Sequence, residues 1–206
     1  ISALGLENAK DSRYAMSKIS GEKLIRSAMP EATIIKPSLV YSVDDNLTTK
    51  FMSLLSVLPI FPLYHGGKTK FTPIHVTELA EIIFYVISKE LYSKNIEAIG
   101  PEILSFKEIL QILMRCIRKN TFLFPMPISL ARFTAFCMQI LPEPLITQDQ
   151  INLLKYDNIK TEKGTSNFDI GCPSKLKFED TVMKYAFNWT EGGQFSNAKK
   201  NKKISL

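Results

Sequence analysis

Cysteine is scarce: Cys116, Cys137 and Cys172 are the only three in 206 residues, and none stands at a C-x-x-C or metal-ligand spacing. Cys116 and Cys137 fall in apolar stretches of helical pattern, where a thiol acts as a small hydrophobe, so a reducing compartment is the simpler setting. Histidine is scarcer still, and His65 and His75 are not spaced as metal ligands; His75 reads as a packed or hydrogen-bonded structural residue rather than a catalytic base. The nine glycines contain no G-x-G-x-x-G, so this chain carries no phosphate loop of that kind. No apolar run reaches the roughly 18 residues of a membrane span. The nearest candidates, FMSLLSVLPIFPLY and ISLARFTAFCMQILPEPL, are broken by proline and suit a partner or a membrane surface. There is no internal repeat, and the opening residues are not expected to be a signal segment, since they show no charged n-region or small-residue cleavage site. Because Ile1 opens directly on strand and loop pattern, we expect the C-terminal part of a longer polypeptide, with further strands upstream.

The net charge of +6 suggests nucleic acid only until the charges are located. Lys199, Lys200, Lys202 and Lys203 supply four of the six units, in a polar tail with no apolar face. That tail reads as a disordered, solvated end, or as a contact for anionic lipid or an acidic partner; nucleic acid is not expected. With 45% apolar residues, the rest has enough material for one substantial core or a core with a smaller lobe.

The patterning alternates strand and helix. A helix is expected from about Ser12 to Met29, with Asp11 or Ser12 as N-cap and Ile19, Leu24 and Ile25 available for the core. ATIIKPSLVY has the continuous β-branched character of a strand covered on both faces, as in parallel sheets. Further helices are expected from Leu47 to Leu58, over VTELAEIIFYVISKEL with Thr77 as N-cap, and over FKEILQILMRCIRK with Ser105 as cap and Glu108 at the third position. Others are expected from Ser129 to Leu141, from Thr147 to about Tyr156, and around Phe178 to Phe187. FTPIHV and IEAIG read as short strands. Pro59 and Pro62 read as ending the Leu47–Leu58 helix, Pro125 and Pro127 as a break before the Ser129–Leu141 helix and Pro142 and Pro144 as a second break, and patterning weakens after Asn158. These elements define an α/β class.

One stretch organises the rest. ISALGLENAKDSRYAMSKISGEKL places Ser2 on a strand end and Tyr14 and Lys18 one helical turn apart, and a buried strand through Pro37 and Ser38 follows. Y-x-x-x-K alone is weak, since Tyr14, Tyr64, Tyr85 and Tyr156 all have lysine four places on. Tyr64 spans Gly66-Gly67, Tyr156 sits at a helix end, and Tyr85 belongs to an apolar face with Lys89 as a solvated last-turn cation. Tyr14 differs in its company, because in open α/β sheets ligands bind at the carboxyl ends of strands, where Ser2 and Pro37 fall. Carbonyl reduction or alcohol oxidation by a nicotinamide needs a proton donor or acceptor beside the hydride path. A free tyrosine titrates near 10, and a lysine one turn away favours the phenolate. The same ammonium can donate to ribose hydroxyls, and a serine hydroxyl can orient the substrate oxygen.

SALG, RYAMSKISGEKLIRSAMPEATIIKPSLVY, FTPIHVTELAEII, IGPEILSFKEIL, LFPMPISLARF and LPEPLITQDQINLLKYDN together resemble a known family over about Ser2 to Asn158. The chain is similar to the second half of an atypical or extended short-chain dehydrogenase/reductase, close to the nucleotide-binding accessory subunit of respiratory complex I and its bacterial relatives. The resemblance implies the C-terminal part of an NAD(P)-binding Rossmann fold with a mostly helical C-terminal lobe. Residues 1–45 would be Rossmann core, 46–190 the C-terminal region with a substrate or partner lobe, and 191–206 the basic tail. Ser2, Tyr14 and Lys18 take the family's catalytic positions, and Tyr14, Lys18, Pro37, Ser38, Leu39 and Val40 its cofactor positions, with NADP or NAD as cofactor. Ser42 stands where the family has glycine, and Glu78 where it has aspartate. Lacking the glycine-rich loop, the chain alone should bind dinucleotide poorly. The implied role is an NAD(P)H-binding subunit of complex I whose nucleotide is mainly structural, on the mitochondrial matrix side or, in bacteria, peripheral to the inner membrane. The alternatives are an active oxidoreductase, epimerase or dehydratase on a sugar nucleotide, sterol or isoprenoid-like substrate, and a non-enzymatic NADPH sensor.

Overall fold

The computed structural model describes residues 1–127 and 147–194. The expected helix from Ser129 to Leu141, with Cys137, and the basic lysines of the tail lie outside these described residues.

A parallel sheet carries the first half. Strand β1 (Ile34–Pro37) pairs in parallel with β6 (Asn95–Ala98), which pairs in parallel with β9 (Thr165–Ser166). Along the other edge of β1, Ser2 N donates to Ile35 O at 2.8 Å and Leu4 N to Pro37 O at 2.9 Å, so residues 2–4 extend the sheet. Helix α1 (Arg13–Ala28) joins this segment to β1, capped by Ser12, whose hydroxyl accepts from Ala15 N. Beyond β1 the chain leaves the sheet: β2 (Val40–Tyr41) pairs in parallel with β5 (Ile74–His75). Helix α3 (Val76–Ser88) covers one face, placing Leu79, Ile82 and Val86 against Ile35, Ile74 and Ile96.

The lobe has its own, larger core. Helices α2 (Thr48–Val57), α4 (Phe106–Cys116) and α6 (Phe178–Ala186) bury Met52, Leu110, Leu113 and Phe178 together with Phe61 and Leu63. Strand β3 (Ile60–Tyr64) pairs in parallel with β8 (Phe122–Met126), and β4 (Lys70–Phe71) antiparallel with β7 (Leu104–Ser105). Ser105 and Glu108 form the expected capping box of α4, and Thr147 with Gln150 forms another at α5 (Gln148–Leu153).

Two expectations are corrected, and strands β3, β8 and β9 are unexpected. Leu24 and Ile25 are 71% and 52% exposed, whereas Ile19 packs as expected, half-buried, with Ala15 against Leu6 and Ala9, so α1 has only a small apolar contact. The cap of α3 is His75, whose ring accepts from Thr77 N, while Thr77 itself lies inside the helix. Helix α2 ends before Pro59 as expected, and the proline stretches continue as unexpected strands: Pro62 and Pro125 sit in a two-stranded ladder, where a residue without an N–H loses less than it would in a central strand. The weakly patterned region after Asn158 contributes β9, a strand of two residues.

Candidate functional site

The carboxyl ends of residues 2–4 and of β1 open onto a cleft of about 1470 Å³ lined by Ser2, Tyr14, Pro37, Ser38, Leu39 and Val40 and reaching to Phe51, Phe106 and Trp189 in the lobe. Six of the seven site residues expected from the sequence therefore share one wall. The seventh, Lys18, is half-buried one turn along α1, with Nζ 5.8 Å from the centroid of the Tyr14 ring. Its charge faces the ring of Tyr14, a cation–π arrangement, rather than the cleft.

Tyr14 is 44% exposed. The other three tyrosines with a lysine four places on are committed elsewhere. Tyr64 is buried in β3, which pushes its phenol up. Tyr85 donates to Ile170 O at 3.0 Å, and Tyr156 to Asp11 Oδ1 at 3.2 Å. The Tyr14 hydroxyl has no hydrogen-bond partner among the described residues, so it is the phenol left open to a ligand.

Ser2 is placed differently from its expected role. Its hydroxyl donates to Glu22 Oε1 on α1. Glu22 also pairs with Lys36 at 3.2 Å, and Lys36 reaches Glu7 at 2.9 Å. The Lys36 side chain is only 12% exposed. Burial, the largest single influence, works to lower its pKa, but the two carboxylates outweigh it and hold the ammonium above its usual value. The proton Ser2 would offer a substrate carbonyl is thus already given to Glu22. Glu22 was legible in principle, because it lies one further turn beyond Lys18 on the same helix. A lysine inside the apolar run IIKP likewise signals a buried anionic partner.

Ser38 is 6% exposed and sits 2.6 Å from Asn158 Oδ1, while accepting from Thr72 N at 3.1 Å. Its side chain is spent on holding the chain crossing, which leaves the backbone of residues 37–40 as the surface a nicotinamide could pass. Asn158 Nδ2 also donates to Leu4 O, so one amide ties both strand ends to the lobe. Gly5, at φ +74°, allows this approach, since a Cβ there would stand 2.7 Å from Asp157 O.

Asp149, on α5, caps the Tyr14 helix from 135 residues away in sequence: it accepts from Arg13 N at 2.8 Å, Tyr14 N at 3.1 Å and Ser12 Oγ at 3.0 Å. A carboxylate there satisfies orphan donors and complements the helix dipole. Lys155 pairs with Asp11 beside it. No local pattern marks Asp149, because its partners are remote.

The two departures from the family pattern have structural partners. Ser42 N donates to Asp45 Oδ2 at 2.9 Å within the turn that caps α2, where Asp45 Oδ1 also accepts from Leu47 N at 2.6 Å. Buried Glu78 accepts from Lys175 N and from Leu176 N, the latter at 2.9 Å. His75 packs edge-on against Tyr41, with ring centroids 5.2 Å apart, and burial lowers its pKa. No group of three or more metal-ligating side chains occurs among the described residues.

The α/β fold, with parallel strands and a cleft at their carboxyl ends, is a Rossmann-type fold like that of NAD-dependent epimerases and dehydratases of known structure. The dTDP-glucose 4,6-dehydratase from Streptomyces venezuelae, solved with NAD bound, superposes with a TM-score of 0.57 at 14% identity, covering 87% of this chain and 53% of that one. The curated relatives of the chain include complex I subunits. It is 27% identical over 205 residues to NADH dehydrogenase [ubiquinone] 1 alpha subcomplex subunit 9, mitochondrial, of Arabidopsis thaliana, covering 94% of this chain and 50% of that protein. It is 22% identical over 173 residues to the NADH-ubiquinone oxidoreductase 40 kDa subunit, mitochondrial, of Neurospora crassa, covering 83% and 45%. The chain spans about half the length of these relatives. No family model matches it. No helix among the described residues is long and apolar enough to cross a membrane.

Proposed function

We propose that the parent protein is an NAD(P)H-binding, SDR-like protein associated with respiratory complex I, whose nucleotide is mainly structural. Relatives in mitochondrial complex I, matched over 94% of the chain in one case, support the association. On the same ground the site of action is the matrix side of a mitochondrial inner membrane or, in a bacterium, the cytoplasmic face of the inner membrane. One observation carries the structural role of the nucleotide: Ser2, which should polarise a substrate carbonyl, donates to Glu22 instead. The residues present suit the nicotinamide half of a dinucleotide, with open backbone at 37–40 and the Tyr14 phenol on the cleft wall, while Lys18 sits behind the Tyr14 ring. Either NADP or NAD fits this half, because nothing in it reads the adenosine ribose. When bound, the nucleotide would supply a hydride donor or acceptor; the chain itself holds and orients the ring end. Deleting the full-length protein should impair complex I assembly, and the protein should copurify with the complex carrying about one nucleotide per copy. Normal assembly in the deletion, with no copurification, would refute this reading.

The open phenol of Tyr14 favours a second reading, an active oxidoreductase, epimerase or dehydratase using Tyr14 and Lys18. Under it, Tyr14→Phe in the full-length protein would abolish turnover while nucleotide stays bound.

A further inference from the structure

Residues 147–158 stand apart from both large cores. Ile151 is their one buried side chain, and it packs against Tyr64 with Leu154 and Met126 beside it. Tyr64 and Met126 are the last register pair of β3 and β8, in the lobe. Leu153 and Tyr156 join a separate cluster, with Leu6, Ala9 and Ala15 at the start of the Tyr14 helix. The segment therefore bridges the lobe and α1.

Polar ties double this bridge. On the sheet side Asp149 caps α1, Lys155 and Tyr156 hold the Asp11 carboxylate, and Asn152 Nδ2 donates to Asp11 O at 3.2 Å. Asn158 Nδ2 donates to Leu4 O, and its Oδ1 accepts from Ser38 Oγ at 2.6 Å. On the lobe side Asn158 N donates to Lys70 O at 2.7 Å, and Asp157 accepts from Lys70 N at 2.8 Å. The helix inside the segment has six residues, too few to persist undocked. One buried side chain and largely solvated hydrogen bonds mark a unit that opens by itself at low cost. Docked, it supplies part of the cleft wall, because Thr147, Gln150, Leu153 and Asn158 line the same cavity as Tyr14 and residues 37–40. A ligand in reach of both walls binds the docked form better than the released one and shifts the balance by that difference.

We propose that residues 147–158 are a latch that couples nucleotide occupancy to the lobe. Nucleotide in the cleft keeps the latch docked, and the docked latch holds Asp149 on α1 and Ile151 on the end of the β3–β8 ladder. Coupling of this kind is reciprocal, so whatever secures the Ile151 anchor also tightens nucleotide binding. The inference rests on the nucleotide site of the proposed function and gives its structural role a physical route, from the cleft through one short segment to the surface of the lobe.

The test measures amide hydrogen exchange of the full-length protein with and without NADPH, together with its NADPH affinity. Loading should slow exchange over residues 147–158 about tenfold and leave α4 unchanged. Ile151 packs against Tyr64 rather than lining the cleft, yet Ile151→Ala should weaken NADPH about tenfold and return the latch of the loaded protein to the exchange of the unloaded one. Ile151→Val should restore both. A merely structural tie would leave the affinity where it was. Exchange over 147–158 indifferent to NADPH, or unchanged affinity in Ile151→Ala, would overturn the latch and leave the nucleotide reading standing. Loss of α4 protection together with the latch in Ile151→Ala would overturn it too, because the residue would then belong to a common core. Failure of the wild-type protein to bind NADPH would overturn the proposed function and, with it, this inference.

Discussion

Helices α1 and α4 are held in opposite ways. The 11-residue α4 buries Phe106, Ile109, Leu110, Ile112, Leu113 and Cys116, and packing fixes it. The 16-residue α1, which carries Tyr14 and Lys18, buries Ala15 and is fixed by polar ties along its length. Asp149 holds its N-terminus and Glu22 joins it to Ser2 and Lys36. Near its end, Arg26 donates to Ala32 O and Asn95 Oδ1, each at 2.7 Å. Packing is insensitive to direction, whereas hydrogen bonds to named atoms fix rotation and rise. The helix that must present a phenol at a defined place is therefore positioned largely by directional contacts, and its Leu24 and Ile25 are left outside.

This contrast can be broken at several points. The largest effect is expected in α4: Leu110, 0% exposed, should cost about 2–5 kcal/mol as Leu110→Ala, read by urea denaturation, through lost transfer energy and a residual cavity. Leu24→Ala in α1 should stay within about 0.5 kcal/mol in the same assay, because Leu24 is 71% exposed. A large loss at Leu24 would mean that α1 is held by an apolar partner after all.

Next comes Glu22→Ala, which leaves the nearly buried Lys36 with only the exposed Glu7 and frees the Ser2 hydroxyl. It should cost about 1–3 kcal/mol. Asp149→Ala should cost about 1–2 kcal/mol, the worth of a strong cap, and amide exchange should quicken at Arg13 and Tyr14 while α4 stays protected. Equal loss of protection in both helices would erase the distinction drawn between them.

The smallest effect is in acid. Lys155, hydrogen-bonded to Asp11, holds that carboxyl below the usual aspartate range. A depressed folded pKa adds stability that is present above the unfolded value of 3.8 and lost as pH falls through the folded pKa. Because the pair is largely solvated, the amount should be about 0.5 kcal/mol or less. Asp11→Asn should therefore flatten the stability profile slightly below about pH 4 and leave α4 untouched.

The same contrast explains what the sequence disclosed. Helix α4 was legible to its cap, because Ser105, Glu108 and the apolar spacing are local signals. The fold class followed from IIKP and IEAIG, buried runs that suit a parallel sheet. Tyr14, Ser2 and residues 37–40 could be brought to one wall from element order alone. What could not be read was where α1 spends its side chains: Leu24 and Ile25 have core-like identity but face outward, since the ties that orient the helix come from Asp149, Ser2, Lys36 and Asn95, remote in sequence. Likewise Pro62 and Pro125 hid a parallel ladder, because proline forbids a central strand and tolerates one of two.

The absorbance of the bound nucleotide in the full-length protein tests the functional account most directly. Purified protein carrying NAD(P)H is mixed with a panel of neutral carbonyl compounds and followed near 340 nm. With the Ser2 hydroxyl held by Glu22, the account predicts that the reduced nucleotide persists, equally in the wild-type protein and in Tyr14→Phe. Stoichiometric oxidation in the wild-type protein that disappears in Tyr14→Phe would contradict it and establish a working enzyme.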